Sequence, residues 1–354
     1  MIMRHSRLPL GKSSFFVLLV GTFLVIFSAM IGLRMPIRGP HVVVYTALDQ
    51  EFSRPVFEEF TRQTDIVVLA KYDTESTKTV GLTQALFAER ERPRCDLFWN
   101  NEIVNTLRLD QAGLLAGYDC GAAQNFPPQY RSTRGHWHGF AARARVLLVN
   151  TELIATADRP DSLWDLTDPR WQGRVGIAKP LAGTTASHAA CLFAAWGEAK
   201  SQAFFRKVKA NARVMSGNKQ VALAVARGEL KFGLTDTDDA IIELEKGWPV
   251  EIVYPDQGSE QIGTLFIPNT LALIRGSAHR KPAQQLVDFL LSPEVERMLA
   301  AGPSAQIPLN PQVEQPRRVE SPQTVRAMEV DFEAAASQWN AVAKFLQQEF
   351  ATAE

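Results

Sequence analysis

From residue 41 onward, short β-branched runs alternate with amphipathic segments of helical period, and this constrains the fold more than any other feature of the sequence. His41–Tyr45 (HVVVY) reads as a buried strand, because β-branched and aromatic side chains pack well on a pleated surface. It passes through Thr46–Gln50 into a helix over Glu51 to Thr64, with Phe52, Val56, Phe57 and Phe60 on one face. A strand at Ile66–Lys71, a polar loop over Tyr72–Lys78 and a helix from Thr79 to Arg92 come next, then a strand at Asp96–Trp99 and a helix beginning near Asn101. Such alternation predicts a mostly parallel α/β sheet, with ligands bound at the carboxyl edge of its strands.

The pattern restarts after an apolar strand at Arg145–Asn150. Strands are expected at Val175–Ala178, Phe232–Thr235 and Val250–Tyr254, with helices after Thr185, over Gln220–Arg227 and after Asp239. Two strands, Gly263–Ile267 and Thr270–Ile274, precede helices at Lys281–Leu291 and Pro293–Ala301, and a long amphipathic helix is expected over Val325–Glu349. A chain of 354 residues is too long for one small domain and suits two lobes of roughly 130–170 residues each.

Lys+Arg and Asp+Glu are equal at 38 each, so no basic excess exists to condense on phosphate backbones, and no nucleic-acid partner is expected. The three cysteines, Cys95, Cys120 and Cys191, are too few for a disulfide framework, although Cys95 and Cys120 could pair in an oxidising compartment. Ahead of the α/β pattern, Arg4, Arg7 and Lys12 precede an uncharged apolar stretch, Phe15 to Leu33, of spanning rather than signal-peptide length. An uncleaved signal anchor in the inner membrane with an exported, periplasmic body is expected, the alternative being a cleaved signal peptide and a soluble periplasmic product.

Asp236-Thr237-Asp238-Asp239 follows an apolar strand and opens a helix. Helix capping explains one aspartate, at about 0.5–1 kcal/mol, but three within four positions repel one another unless a cation arrives. Asp49 lies just beyond the first strand, and Asn101 and Glu102 just beyond the third; for each of these, capping competes with ligand binding. If all face one cleft, they make an oxygen-rich site suited to a hard cation or a substrate ammonium. Gly183, Thr184 and Thr185 enter a helix with free amides and hydroxyls, a site suited to an anion, and Lys78 is a further basic candidate.

Several segments in order resemble the bacterial solute-binding proteins of the ferric-ion-binding type: VVVYTALDQEF, RCDLFWNNEIVNTLRLDQAGLL, DSLWDLTDPRWQGRVGIAKPLAGTT, VALAVARGELKFGLTDTDD and IGTLFIPNTLALI. The resemblance implies a type II periplasmic-binding-protein fold, with two lobes of mixed, mostly parallel sheet flanked by helices and joined by two hinge strands, here Arg143–Thr151 and Gly263–Ile274. It divides the chain into an N-terminal segment and linker (1–40), lobe 1 (41–142 with 275–354) and lobe 2 (143–274). It also implies ligand capture between the lobes, delivery to an ABC-type inner-membrane permease, and no required cofactor beyond a possible bound metal ion.

Where iron binders of that type carry a histidine, a glutamate and two tyrosines, this chain aligns Asp49, Asn101 (with Glu102 beside it), Asp238 and Asp239. Asp49, Asp238 and Asp239 are then the candidate metal ligands. Gly183, Thr184, Thr185, Arg143 and Lys78 are the candidate anion ligands; Arg143 and Arg145, two apart on a hinge strand, would share one face.

Two ligand types satisfy such a cleft, a metal with its anion or a zwitterion such as an aminophosphonate. Binding without catalysis, by hinge closure, is the first function class. No G-x-S-x-G elbow, HExxH or P-loop supports an enzyme. The other class is a membrane-anchored sensor domain, which the N-terminal stretch permits.

Overall fold

A computed structural model describes residues 39–73, 79–314 and 318–351. The apolar stretch at 15–33 and Lys78 lie outside the described residues. Among the described residues, no helix is long and apolar enough to cross a membrane.

Elements follow one another as β1 (His41–Thr46), α1 (Gln50–Thr64), β2 (Val67–Tyr72), α2 (Val80–Ala88), β3 (Leu97–Asn100), α3 (Val104–Gln111) and β4 (Leu115–Ala116). After the long β5 (His138–Asn150) come β6 (Val175–Ala178), α4 (Gly183–Trp196), α5 (Glu198–Asn211), β7 (Arg213–Met215), α6 (Asn218–Ala226), β8 (Phe232–Asp236), α7 (Thr237–Glu245) and β9 (Val250–Val253). The chain closes with β10 (Phe266–Ile274), α8 (Arg280–Leu290), α9 (Pro293–Ala301), α10 (Phe332–Ser337) and α11 (Trp339–Phe350).

Strand order is β2-β1-β3-β10-β5-β8-β6-β7, with β4 beside β10 and β9 beside β5. Each end of this order is a parallel trio: β1 pairs parallel with β2 and β3, and β6 pairs parallel with β7 and β8. The two trios are joined through the antiparallel β5 and β10. Over residues 138–144, β5 pairs with β10; over 145–149 it pairs with β8. One strand thus belongs to both lobes, giving the two-lobe type II architecture. Such a strand has no solvent face, and all thirteen residues of β5 are buried. Around it the cores fill by the expected periods; on α1 the buried side chains include Phe52, Val56, Phe57 and Phe60.

Four expectations need correction. The two strands anticipated at 263–267 and 270–274 are a single β10, because Pro268 sits at a shift in register against β5, where its missing N–H costs no ladder bond. Helix does not begin at Val325 but at Phe332, where the Asp331 side chain caps the Ala334 N–H at 2.9 Å. The C-terminal segment does not pack on lobe 1 alone: α10 contacts both α3 and α4, and α11 packs on α4 and α5 of lobe 2. Finally, Cys95, Cys120 and Cys191 are all free and buried; the Cys120 thiol donates to the Asp288 carboxylate at 3.1 Å.

Candidate functional site

The turns after parallel strands meet between the lobes, as the carboxyl-edge rule requires. From lobe 1 the turn after β1 brings Asp49 and the turn after β3 brings Asn101; from lobe 2 the turns after β6, β7 and β8 bring Lys179 to Thr185, Ser216 to Asn218, and Asp236, Asp238 and Asp239. With Arg143 of β5 these residues line a cleft of about 510 Å³.

Lobe 2 supplies a cross-linked wall. Arg145 is fully buried, and a buried guanidinium persists only when its charge and donors are matched. Its Nη1 lies 2.6 Å from Asp236 Oδ1 and also donates to Asn218 Oδ1 (3.1 Å) and Thr184 Oγ1 (3.3 Å), while Nη2 donates to Thr185 Oγ1 (3.3 Å). The other Asp236 oxygen accepts from Thr184 Oγ1 at 2.5 Å and Asn218 Nδ2 at 2.9 Å. One ion pair therefore binds the starts of α4, α6 and α7 together. Arg145 Nε donates to His188 Nδ1 at 3.4 Å, which places the imidazole proton on Nε2; burial, reinforced by the neighbouring guanidinium, holds His188 neutral, well below its usual pKa.

Arg143, 1% exposed, sits at the seam between the lobes. Its Nη1 donates to the Asn101 carbonyl at 3.0 Å, and its Nε lies 3.2 Å from Asp238 Oδ2. Asp236, Asp238 and Asp239 present carboxylate oxygens that all lie within 4.8 Å of one another, an arrangement compatible with a metal ion. Yet Asp236 and Asp238 each hold an arginine. The mutual repulsion expected from the sequence is relieved from within the chain, by two arginines two residues apart on one strand.

N-capping does not explain two of these aspartates, although Asp238 Oδ1 accepts from the Asp239 N–H at 3.2 Å in the first turn of α7. Asp49 and Asp236 occupy the N-cap positions of α1 and α7, but neither side chain makes the capping bond. Asn101 is 4% exposed, lines the cleft and has no hydrogen-bond partner for Oδ1 among the described residues. Starts of α4 and α6 are likewise without a side-chain cap and carry no acid in the first turn, so their N–H groups and dipoles favour negative charge.

Glu102 departs from the expected role. It is fully buried beneath the cleft, accepting from Asn100 Nδ2 at 2.7 Å, from the Asn105 N–H, and from Ser187 Oγ of α4 at 2.6 Å, so it joins the lobes rather than facing a solute. Trp99 is core, packed against Phe57 and Phe140, and the Tyr45 hydroxyl is turned to Glu89. Across the cleft Glu51 and Lys219 form an exposed ion pair of 3.7 Å. Sequence reasoning missed Lys179, Ser216, Gly217 and Asn218; the Ser-Gly-Asn run just before an amphipathic helix was the signal available.

Residues 105–334 match the family described as "Bacterial extracellular solute-binding protein". A Fe(3+)-binding periplasmic protein of Serratia marcescens is 29% identical over 193 residues, covering 54% of this chain and 56% of that one, a little over half of the relative's length. A putative 2-aminoethylphosphonate-binding periplasmic protein of Salmonella paratyphi A is 25% identical over 254 residues, 70% of this chain and 71% of that one. In fold, the chain is similar to iron-bound HitA from Pseudomonas aeruginosa, with a TM-score of 0.79 at 24% identity over 87% of this chain and 99% of that one.

Proposed function

The chain belongs to the bacterial extracellular solute-binding proteins, and on that premise we propose that it captures a small zwitterionic organic solute of the aminophosphonate kind between its lobes and delivers it to an ABC-type permease. It is a binding protein, not an enzyme. One observation carries the choice of ligand: Asp238 and Asp236 are paired with the buried Arg143 and Arg145 inside a cleft of about 510 Å³. That volume lies in the range of small-molecule pockets. An anionic head group suits the uncapped starts of α4 and α6 with Thr184, Thr185, Gly183 and Lys179, and an ammonium suits Asp49 and Asp239. The Salmonella relative's description supports this pairing of charges.

A second reading, a hard metal ion such as ferric iron held with an anion, is favoured by the three clustered carboxylates and by the Serratia relative. In that case Asp49, Asp238 and Asp239 are the metal ligands, and Arg143 must leave Asp238. Calorimetric titration separates the two. Saturable, stoichiometric binding of 2-aminoethylphosphonate, lost in Arg143→Ala, is the expected result; tight binding of ferric ion with no response to any aminophosphonate would overturn it.

The body acts outside the cytoplasm, and residues 15–33 hold it to the inner membrane. Fractionation of cells should leave the protein in the membrane pellet; a fully soluble periplasmic product would replace the anchor with a cleaved signal.

A further inference from the structure

Glu296 of α9 is fully buried, yet it does not face the cleft. A buried carboxylate is costly unless its lone pairs are met, and here they are met by three backbone N–H groups. Ala141 donates to Oε1 at 2.7 Å, Leu309 to Oε1 at 2.9 Å and Asn310 to Oε2 at 2.8 Å.

Ala141 is no ordinary strand residue. Against β10, Pro268 pairs with Ala142 and Asn269 with Phe140, so Ala141 is the extra residue of a β-bulge in β5. Its φ is +39°, a backbone conformation in which a side chain crowds the main chain and which alanine rarely adopts. Both of its main-chain groups are taken by side chains: the N–H by Glu296 and the carbonyl by Asn269 Nδ2. Asn269 reaches further, since its Oδ1 accepts from Arg143 Nη2 at 3.5 Å. An unbroken line of contacts thus runs from α9 through the bulge to the guanidinium at the seam of the cleft.

We propose that Glu296 is a positioning residue for the ligand cleft. By holding Ala141 in its left-handed conformation it fixes the bulge that sets where Arg143 stands between the Asn101 carbonyl and Asp238. The proposal rests on the cleft being the solute site, but the bulge can be tested without any ligand.

A double-mutant cycle on the full-length protein tests it, comparing Glu296→Gln, Ala141→Gly and the pair. Glycine adopts a positive φ freely, so at position 141 the bulge no longer depends on the carboxylate. Glu296→Gln alone should speed amide exchange at residues 140–143 and weaken binding of 2-aminoethylphosphonate, each about tenfold or more, an effect worth roughly 1.4 kcal/mol. In the Ala141→Gly background the same substitution should cost much less in both readouts. Loss of helix packing alone would give additive effects, and additivity, or unchanged exchange at 140–143, overturns the proposal. If wild-type protein ignores 2-aminoethylphosphonate, the ligand assignment falls, while the exchange arm of the cycle still decides the role of Glu296.

Discussion

On the lobe 2 wall of the cleft Arg145, Asp236, Thr184 and Asn218 are tied to one another by contacts of 2.5–3.3 Å, whereas on the lobe 1 wall Asp49 makes no capping bond and Asn101 Oδ1 has no partner among the described residues. Both walls are made the same way, from turns at the carboxyl ends of parallel strands. They differ in how much of their polarity is spent internally. Lobe 2 consumes its charges to lock three helix starts into one cradle, and lobe 1 brings to the cleft Asp49 and an Asn101 whose Oδ1 has no hydrogen-bond partner among the described residues. A chain that binds by closure gains from this asymmetry: the cross-linked half defines the shape of the solute, and the other half closes upon it.

Breaking the cross-linked wall should have the largest effect. Arg145→Ala leaves Asp236 buried without its cation and should cost about 3–5 kcal/mol in urea unfolding; a loss under about 1 kcal/mol would mean that the wall does not depend on the pair.

Acid should loosen both lobes through their buried histidines. Burial lowers His138 to about 4 and His188 well below its ordinary range, so the unfolded chain, with histidines near 6.5, binds more protons than the folded one in this window. Stability present at neutral pH is therefore lost as pH falls from 6.5 toward 4, with a slope of up to about 1.4 kcal/mol per pH unit for each group. His138→Phe should flatten the pH dependence of the melting temperature across that range; an unchanged slope would contradict the neutral state.

At the seam, Arg143→Gln should cost about 1–3 kcal/mol of stability, less than Arg145→Ala, because Asp238 borders the cleft and can be solvated. Equal losses at the two arginines would erase the distinction between seam and wall. The smallest change in stability should come from the lobe 1 wall: Asp49→Asn should weaken solute binding, as calorimetry would report, and cost less stability than either arginine substitution. A large drop in melting temperature would make Asp49 structural after all.

Much of this was legible in the sequence, and the reason is local. The parallel strands announce themselves through β-branched runs, and the carboxyl-edge rule then points to Asp49, Asn101, Thr184 and Asp238 before any coordinates are known. Long-range pairing was not legible. Arg145 and Asp236 lie 91 residues apart, and nothing in either segment says that one will neutralise the other. The same holds for Glu102, which sits beside Asn101 in sequence but is drawn under the cleft by Ser187, 85 residues on. The Ala141 bulge was invisible for a different reason: alanine carries no signature for a positive φ, which neighbours impose.

The most direct test of the central claim, that β5 carries the countercharges for the acidic cluster and so leaves room for an organic zwitterion, is native mass spectrometry of the protein purified without added ligand. The account predicts an added mass equal to one small organic molecule, absent from Arg143→Ala and insensitive to chelators. An added mass equal to a metal ion, removed by chelation and retained in Arg143→Ala, would contradict it.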